Sequence, residues 1–140
     1  MAPTGRAIAL ELDGVLGDAE ALWQAWLEDV SRRAHVDPAR LDEELPNWRV
    51  LLERFAEDHA PVYLRPSALA TSALRRLHAD GVRLGVFTER PEELARVAVA
   101  HLGAARRIEA LEAGPGALER LLARLGPDTQ VARSVADLDS

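Results

Sequence analysis

Residues 7–16 read Ala-Ile-Ala-Leu-Glu-Leu-Asp-Gly-Val-Leu, and this stretch decides the fold. Its first four residues are apolar without interruption, which is typical of a strand buried on both faces of a parallel sheet. Two acidic residues, Glu11 and Asp13, and then Gly14 follow directly. They are therefore expected at the carboxyl end of the strand, where open α/β sheets bind their ligands. The alternative is a strand that simply ends in a solvated acidic turn.

Helical and strand patterns alternate along much of the remaining chain. Apolar runs predict strands at 82–87, 107–111 and 129–132. Helical spacing, with Gly or Pro at the ends, predicts helices at 67–79, 91–102 and 118–125. In the first of these helices, Leu69, Ala73 and Leu77 are expected to face the core. This order of elements predicts an α/β fold, a Rossmann-like parallel sheet with right-handed crossovers.

Residues 18–65 interrupt this order with a helical block. Asp18 is a predicted N-cap for its first helix, and Ala60-Pro61 is expected to end its last helix. We therefore divide the chain into a core, residues 1–17 and 66–140, and a small helical cap, residues 18–65. The cap is expected to lie over the carboxyl end of the first strand, with its aromatic residues forming its own core.

The composition limits the classes of function. At 140 residues the chain suits one domain with a small insert, and its net charge of -6 disfavours a nucleic-acid binder. No apolar run approaches the roughly 18 residues of a membrane span, so we predict no membrane partner and a cytoplasmic location. The chain has no Cys, and all 17 of its Lys+Arg residues are Arg. Thiolate and lysine chemistry are therefore both excluded.

Four short motifs follow one another along the chain. They are Glu11-Leu-Asp-Gly-Val-Leu16, Thr88 at the end of the second strand, Gly114-Pro115 before a helix, and Val-Ala-Arg-Ser-Val-Ala-Asp at 131–137. Together they resemble the motifs of the haloacid dehalogenase-like (HAD) phosphatases, and the helical block resembles a reduced C1-type cap. The resemblance covers nearly the whole chain. It implies that the first strand lies between the strands at 82–87 and 129–132.

The family's chemistry gives each matched position an implied role. The family's first Asp attacks phosphorus and its second acts as general acid and base, which places Glu11 and Asp13 in the catalytic set with Thr88. The phosphoryl group is bound, by the same implication, at Gly14, Thr88, Glu89 and Arg90. If the chain is active, Mg²⁺ is implied at Glu11, Asp13 and Asp137.

Several of these positions depart from the family's pattern. Glu11 replaces the nucleophilic Asp, and its extra methylene moves the carboxylate by about 1 Å, which spoils in-line attack. Gly114-Pro115 lacks the family's Lys, and Arg133 replaces a metal-binding Asp. Glu89 also adds negative charge beside the phosphate site. We therefore predict no metal or other cofactor, and an ion pair of Arg133 with Glu11 or Asp13 in place of the metal.

These departures favour a HAD-like pseudophosphatase that acts by binding or assembly. Its expected partners are a second copy, in a homodimer, or another protein, through the cap or a sheet edge that the short C-terminus leaves uncovered. The alternative is a working Mg²⁺-dependent phosphatase of a small phosphorylated metabolite. A third possibility is a non-catalytic phosphate or carboxylate binder that uses Thr88, the helix start at Pro91 and Arg133. The four histidines show no metal-ligand spacing.

Overall fold

A parallel sheet of four strands forms the centre of the computed structural model, which describes residues 6–139. The first five residues and Ser140, which belong to the predicted core, lie outside the described residues. The strands are Ala7–Glu11 (β1), Arg83–Thr88 (β2), Ala110–Ala113 (β3) and Gln130–Ala132 (β4). Their spatial order is β3-β2-β1-β4, and each pairing is parallel. The predicted α/β class and the central position of the first strand are confirmed.

Helices cover both faces of this sheet. They are Ala19–Ala34 (α1), Leu41–Glu44 (α2), Trp48–Tyr63 (α3), Ala68–Ala79 (α4), Glu92–His101 (α5) and Ala117–Leu125 (α6). Shorter helical turns span Leu12–Leu16, Pro38–Arg40 and Val135–Asp139. None of the helices in residues 6–139 combines the length and apolar character of a membrane span.

The two faces of β1 bury different side chains, because successive residues of a strand point to opposite sides. Ile8 and Leu10 join the large cluster beneath α1, α3, α4 and α5. Ala7 and Ala9 join the smaller cluster that α6 covers. A β-carbon on Gly85 of β2 would approach Leu121 of α6 to 2.6 Å, so small residues on this face let α6 lie close to the sheet.

The helical block of residues 18–65 shares its core with the sheet. Trp23, Trp26 and Trp48 form an aromatic cluster with ring centroids 5.6 to 6.4 Å apart, and Trp26 belongs to the same buried cluster as Ile8 and Leu10. Helix α3 packs along α5. The block therefore packs mainly along α5, where its apolar faces are buried.

Three local predictions are corrected by the structure. The third strand begins at Ala110 and not at Arg107, because Arg107 N–H is used in a turn with the carbonyl of Ala104. Helix α3 continues through Pro61 to Tyr63, since proline removes only one hydrogen bond and Leu64 N–H still bonds the carbonyl of Ala60. Leu69 does not face the core but is 75% exposed.

The two leucines of α4 provide a matched test of the core assignment. Leu74 is 4% exposed and Leu69 is 75% exposed in the same helix. Leu74→Ala is expected to lower the free energy of unfolding by about 2–4 kcal/mol, because it leaves a cavity in the core. Leu69→Ala should change it by less than about 0.5 kcal/mol. Urea unfolding of both variants measures the difference, and equal losses would contradict the described packing of α4.

Candidate functional site

A cleft of about 400 Å³ opens where β1, β2 and β4 end. Parallel pairing places Glu11 opposite Phe87, and Leu10 opposite Ala132, so the residues that follow each strand converge at one edge. The residues that line the cleft are Glu11, Asp13, Phe87, Thr88, Glu89, Arg90, Gly116, Ala117, Leu118, Glu119 and Arg133. None of them comes from the helical block of residues 18–65.

An ion pair joins the ends of β1 and β4 in this cleft. Arg133 Nη1 donates to Glu11 Oε2 at 2.6 Å, across 122 positions of sequence. The Arg133 guanidinium also lies 5.5 Å above the centroid of the Phe87 ring, a cation–π distance. The pair is only partly buried, since the Arg133 and Glu11 side chains are 56% and 33% exposed. The guanidinium therefore keeps one side toward the solvent of the cleft.

Gly14 lets the turn after β1 approach the end of β4. A β-carbon at this position would collide with the carbonyl oxygen of Arg133 and would lie 3.2 Å from Glu11 Oε1. Any larger residue would push the two segments apart and disturb the ion pair. This close approach is a structural reason for Gly14 at the site, beside the phosphate-binding role that the family resemblance implies.

Asp13 supports the start of the helical block. Its Oδ1 accepts a hydrogen bond of 2.8 Å from the backbone N–H of Ala19, the first residue of α1. Partial burial raises the pKa of Asp13, and the negative charges of Asp18 and Glu20 raise it further. The backbone hydrogen bonds from Ala19 and Glu20 oppose this increase in the pKa.

Asp137 shapes the loop that presents Arg133. Its Oδ2 accepts hydrogen bonds from the backbone N–H groups of Arg133 at 2.8 Å and Ser134 at 3.2 Å. The carboxylate is thus turned toward the backbone of its own loop. Asp137 does not line the cleft in which Glu11 and Asp13 lie.

Thr88 and Arg90 form the β2 side of the cleft. Thr88 is 6% exposed, and its Oγ1 accepts a 3.2 Å hydrogen bond from the backbone N–H of Arg90. The Arg90 side chain pairs with Glu20 at 2.7 Å and lies 5.8 Å from the centroid of the Trp23 ring. These contacts join the helical block to the cleft's rim. Glu89, between Thr88 and Arg90, is exposed and lines the cleft.

The segment before α6 lines the cleft where the family carries its lysine. Gly114 N–H bonds the carbonyls of Thr88 and Arg90, both at 3.0 Å, which ties this segment to the end of β2. The Arg120 guanidinium donates to the carbonyls of Ala113 and Pro115, both at 2.6 Å. Arg120 thus holds the segment in place. Sequence reasoning missed this role, because the carbonyls that Arg120 reaches belong to a loop outside the helical pattern.

The residues of this site do not fit a magnesium ion. A divalent cation requires several oxygen ligands, but Oε2 of Glu11 is already bonded to the permanently charged guanidinium of Arg133. One oxygen of Asp13 is bonded to Ala19, and one of Asp137 is bonded to two backbone N–H groups. Across residues 6–139, no group of three or more His, Asp or Glu side chains is arranged to hold a metal.

Solved structures with the same architecture identify the fold. A putative beta-phosphoglucomutase from Thermotoga maritima superimposes with a TM-score of 0.59 and 18% identity, covering 96% of this chain and 82% of its own. A HAD phosphatase from Thermococcus onnurineus superimposes with a TM-score of 0.61 and 19% identity, covering 90% of this chain and 75% of its own. No protein-family model and no curated protein matches the sequence. The chain therefore has a HAD-like fold, an α/β architecture with a parallel sheet of four strands.

A double-mutant cycle measures the strength of the Glu11–Arg133 pair. Because both side chains are partly exposed, we expect a coupling energy of about 0.5–1 kcal/mol from Glu11→Gln, Arg133→Gln and the double variant. Removal of one partner of a buried pair would lower the free energy of unfolding by a few kcal/mol, and we do not expect so large an effect here. The pair Arg96–Glu53, at 3.0 Å, is the matched control and should couple more weakly, because Glu53 is 43% exposed where Glu11 is 33% exposed. Urea unfolding that gives no coupling between Glu11 and Arg133 would contradict the pairing.

The raised pKa of Asp13 predicts a pH effect on folding. The folded protein binds this proton more tightly than the unfolded chain, whose Asp titrates near 3.8. The contribution of Asp13 to stability therefore falls as the pH rises through its folded pKa. Asp13→Asn removes this titration, so the stability of the variant relative to wild type should rise as the pH increases above the unfolded value near 3.8.

Urea unfolding at a series of pH values measures this gain. Glu57→Gln, which removes one exposed charge on α3, controls for the change in net charge. A constant difference between Asp13→Asn and wild type across the series would show that the pKa is not raised.

Proposed function

We propose that this chain is a HAD-fold pseudophosphatase that has lost phosphotransfer and acts by binding. The observation that carries the proposal is the Glu11–Arg133 ion pair at 2.6 Å, at the position that the family resemblance gives to the nucleophile and the metal. A carboxylate that is held by a guanidinium is a weak nucleophile, because its negative charge is already neutralised. The fixed cation also disfavours a second cation beside Glu11.

Two further contacts support the loss of catalysis. Asp13, the implied acid and base, directs Oδ1 to the backbone N–H of Ala19, where it serves the start of α1. The chain has no lysine to neutralise a transferred phosphoryl group, and Arg90 and Arg133 are each paired with a carboxylate. The charge balance of the cleft therefore does not favour a reacting phosphate.

The role that remains in this proposal is binding to a partner. The helical block of residues 18–65 supports a protein or homodimer contact, because Val50 and Val62 of α3 are 59% and 62% exposed. Burial of this apolar area by a partner would be favourable. The sheet edges at β3 and β4 are the other expected surface.

A working phosphatase of a small phosphorylated metabolite is the second candidate. The raised pKa of Asp13 favours it, since a general acid needs a carboxyl group that keeps its proton. The buried hydroxyl of Thr88 at the cleft also fits a phosphate oxygen. In this case Glu11 would have to leave Arg133 before it could react.

Hydrolysis assays with Mg²⁺ decide between the two candidates. We expect wild type and Asp13→Asn to give the same background rate with p-nitrophenyl phosphate and with a panel of phosphorylated metabolites. Glu57→Gln is the control for preparation and charge. The double variant Glu11→Asp/Arg133→Asp tests whether the missing carboxylates are enough to restore turnover. Wild-type turnover that Asp13→Asn abolishes would overturn the pseudophosphatase proposal.

A further inference from the structure

Two adjoining cavities lie at the amino-terminal end of the sheet, opposite the cleft. The larger has a volume of about 620 Å³ and the smaller about 340 Å³. The smaller is bounded by the start of β2, at Arg83 and Leu84. Three residues line both cavities: His78, Arg106 and Arg107. Volumes of this order are typical of small-molecule sites.

The shared wall of these cavities is positively charged. Arg106 is exposed, and no carboxylate in residues 6–139 pairs with it. Arg107 donates to the carbonyl of Gly103 at 3.1 Å and likewise has no carboxylate among the described residues. By contrast, Arg90 and Arg133, which line the cleft, are each paired with a carboxylate.

The acidic residue that lines the smaller cavity is already paired with an arginine. Glu109 lines the smaller cavity, but both of its oxygens are bonded to Arg83, at 3.0 and 2.8 Å. The Arg83 guanidinium lowers the pKa of Glu109 through these bonds. The negative charge of Glu109 is therefore already balanced by Arg83. Arg106 and Arg107 therefore bring net positive charge to the cavities, in a chain whose net charge is -6.

Contacts with the local backbone account for the position of only one of these two arginines. Arg107 bonds the carbonyl of Gly103, just after the end of α5, where a cation is favourable. Within residues 6–139, no carbonyl accepts a hydrogen bond from the Arg106 side chain. The backbone N–H groups of Ala105 and Arg106 also donate to no backbone carbonyl within the described part of the chain. Ala105 and Arg106, which carry these N–H groups, line the larger cavity together with Arg107.

We propose that these cavities bind the diphosphate group of a small molecule, with Arg106 and Arg107 as the main donors. A guanidinium is permanently charged and donates two parallel hydrogen bonds to phosphate oxygens. A diphosphate offers enough negative charge to match two guanidinium groups. The site shares no residue with the cleft, so this proposal stands or falls separately from the pseudophosphatase proposal.

Isothermal titration with inorganic pyrophosphate at fixed ionic strength tests the site. We expect saturable binding of one pyrophosphate by wild type, and affinity weaker by about tenfold or more in Arg106→Gln, which loses a charged donor. Arg54→Gln is the matched control, because Arg54 is an exposed arginine of α3 and lines neither cavity. Its affinity for pyrophosphate should equal that of wild type.

A second variant separates this site from the cleft. Arg133→Gln should leave pyrophosphate binding intact, and amide NMR shifts on titration should concentrate at residues 103–107. The proposal is overturned if wild type shows no saturable binding, if Arg54→Gln loses as much affinity as Arg106→Gln, or if Arg133→Gln alone abolishes binding. Since the Arg106 side chain is exposed, Arg106→Gln should keep the wild-type thermal midpoint.

Discussion

The structure depends on the hydrogen bonding of β1 to a parallel strand on each side. Glu11 is opposite Phe87 of β2, and Leu10 is opposite Ala132 of β4, so three chain segments leave the sheet at the same level. The burial of Ile8 and Leu10 on one face and of Ala7 and Ala9 on the other fixes this strand in the centre. A shift of one residue would exchange the two faces and separate Glu11 from Arg133.

Arginine performs several different tasks in this chain without lysine. Arg133 joins the ends of β1 and β4, Arg90 joins the end of β2 to Glu20 of α1, and Arg120 holds the segment before α6. Each uses the planar guanidinium to contact two or more groups at once. The cleft is therefore braced by ion pairs and hydrogen bonds among its own residues.

The helical block is joined to the sheet through α5 more than through the cleft. Ion pairs Arg49–Glu93 and Arg96–Glu53, both at 3.0 Å, connect α3 and α5 above a shared apolar core. Such exposed pairs add little stability individually, so the packing of α3 along α5 holds the block. The block borders the cleft at Arg90, which contacts Glu20 and Trp23, and at Asp13, which accepts a hydrogen bond from Ala19.

The sequence by itself determined the α/β class and the segments that end at the cleft, because buried apolar runs and Gly or Pro punctuation are local signals. The central position of the first strand was implied only by the family resemblance. It could not determine that Leu69 is exposed or that α3 continues through Pro61, since both depend on what packs against each helix. The roles of Glu11, Asp13 and Thr88 stay predictions. Only the tertiary structure decided that Arg133 reaches Glu11, that Asp13 bonds Ala19, and that Arg106 and Arg107 share a cavity wall with His78. These contacts join residues from separate elements, and their distances are set by how the sheet and helices pack.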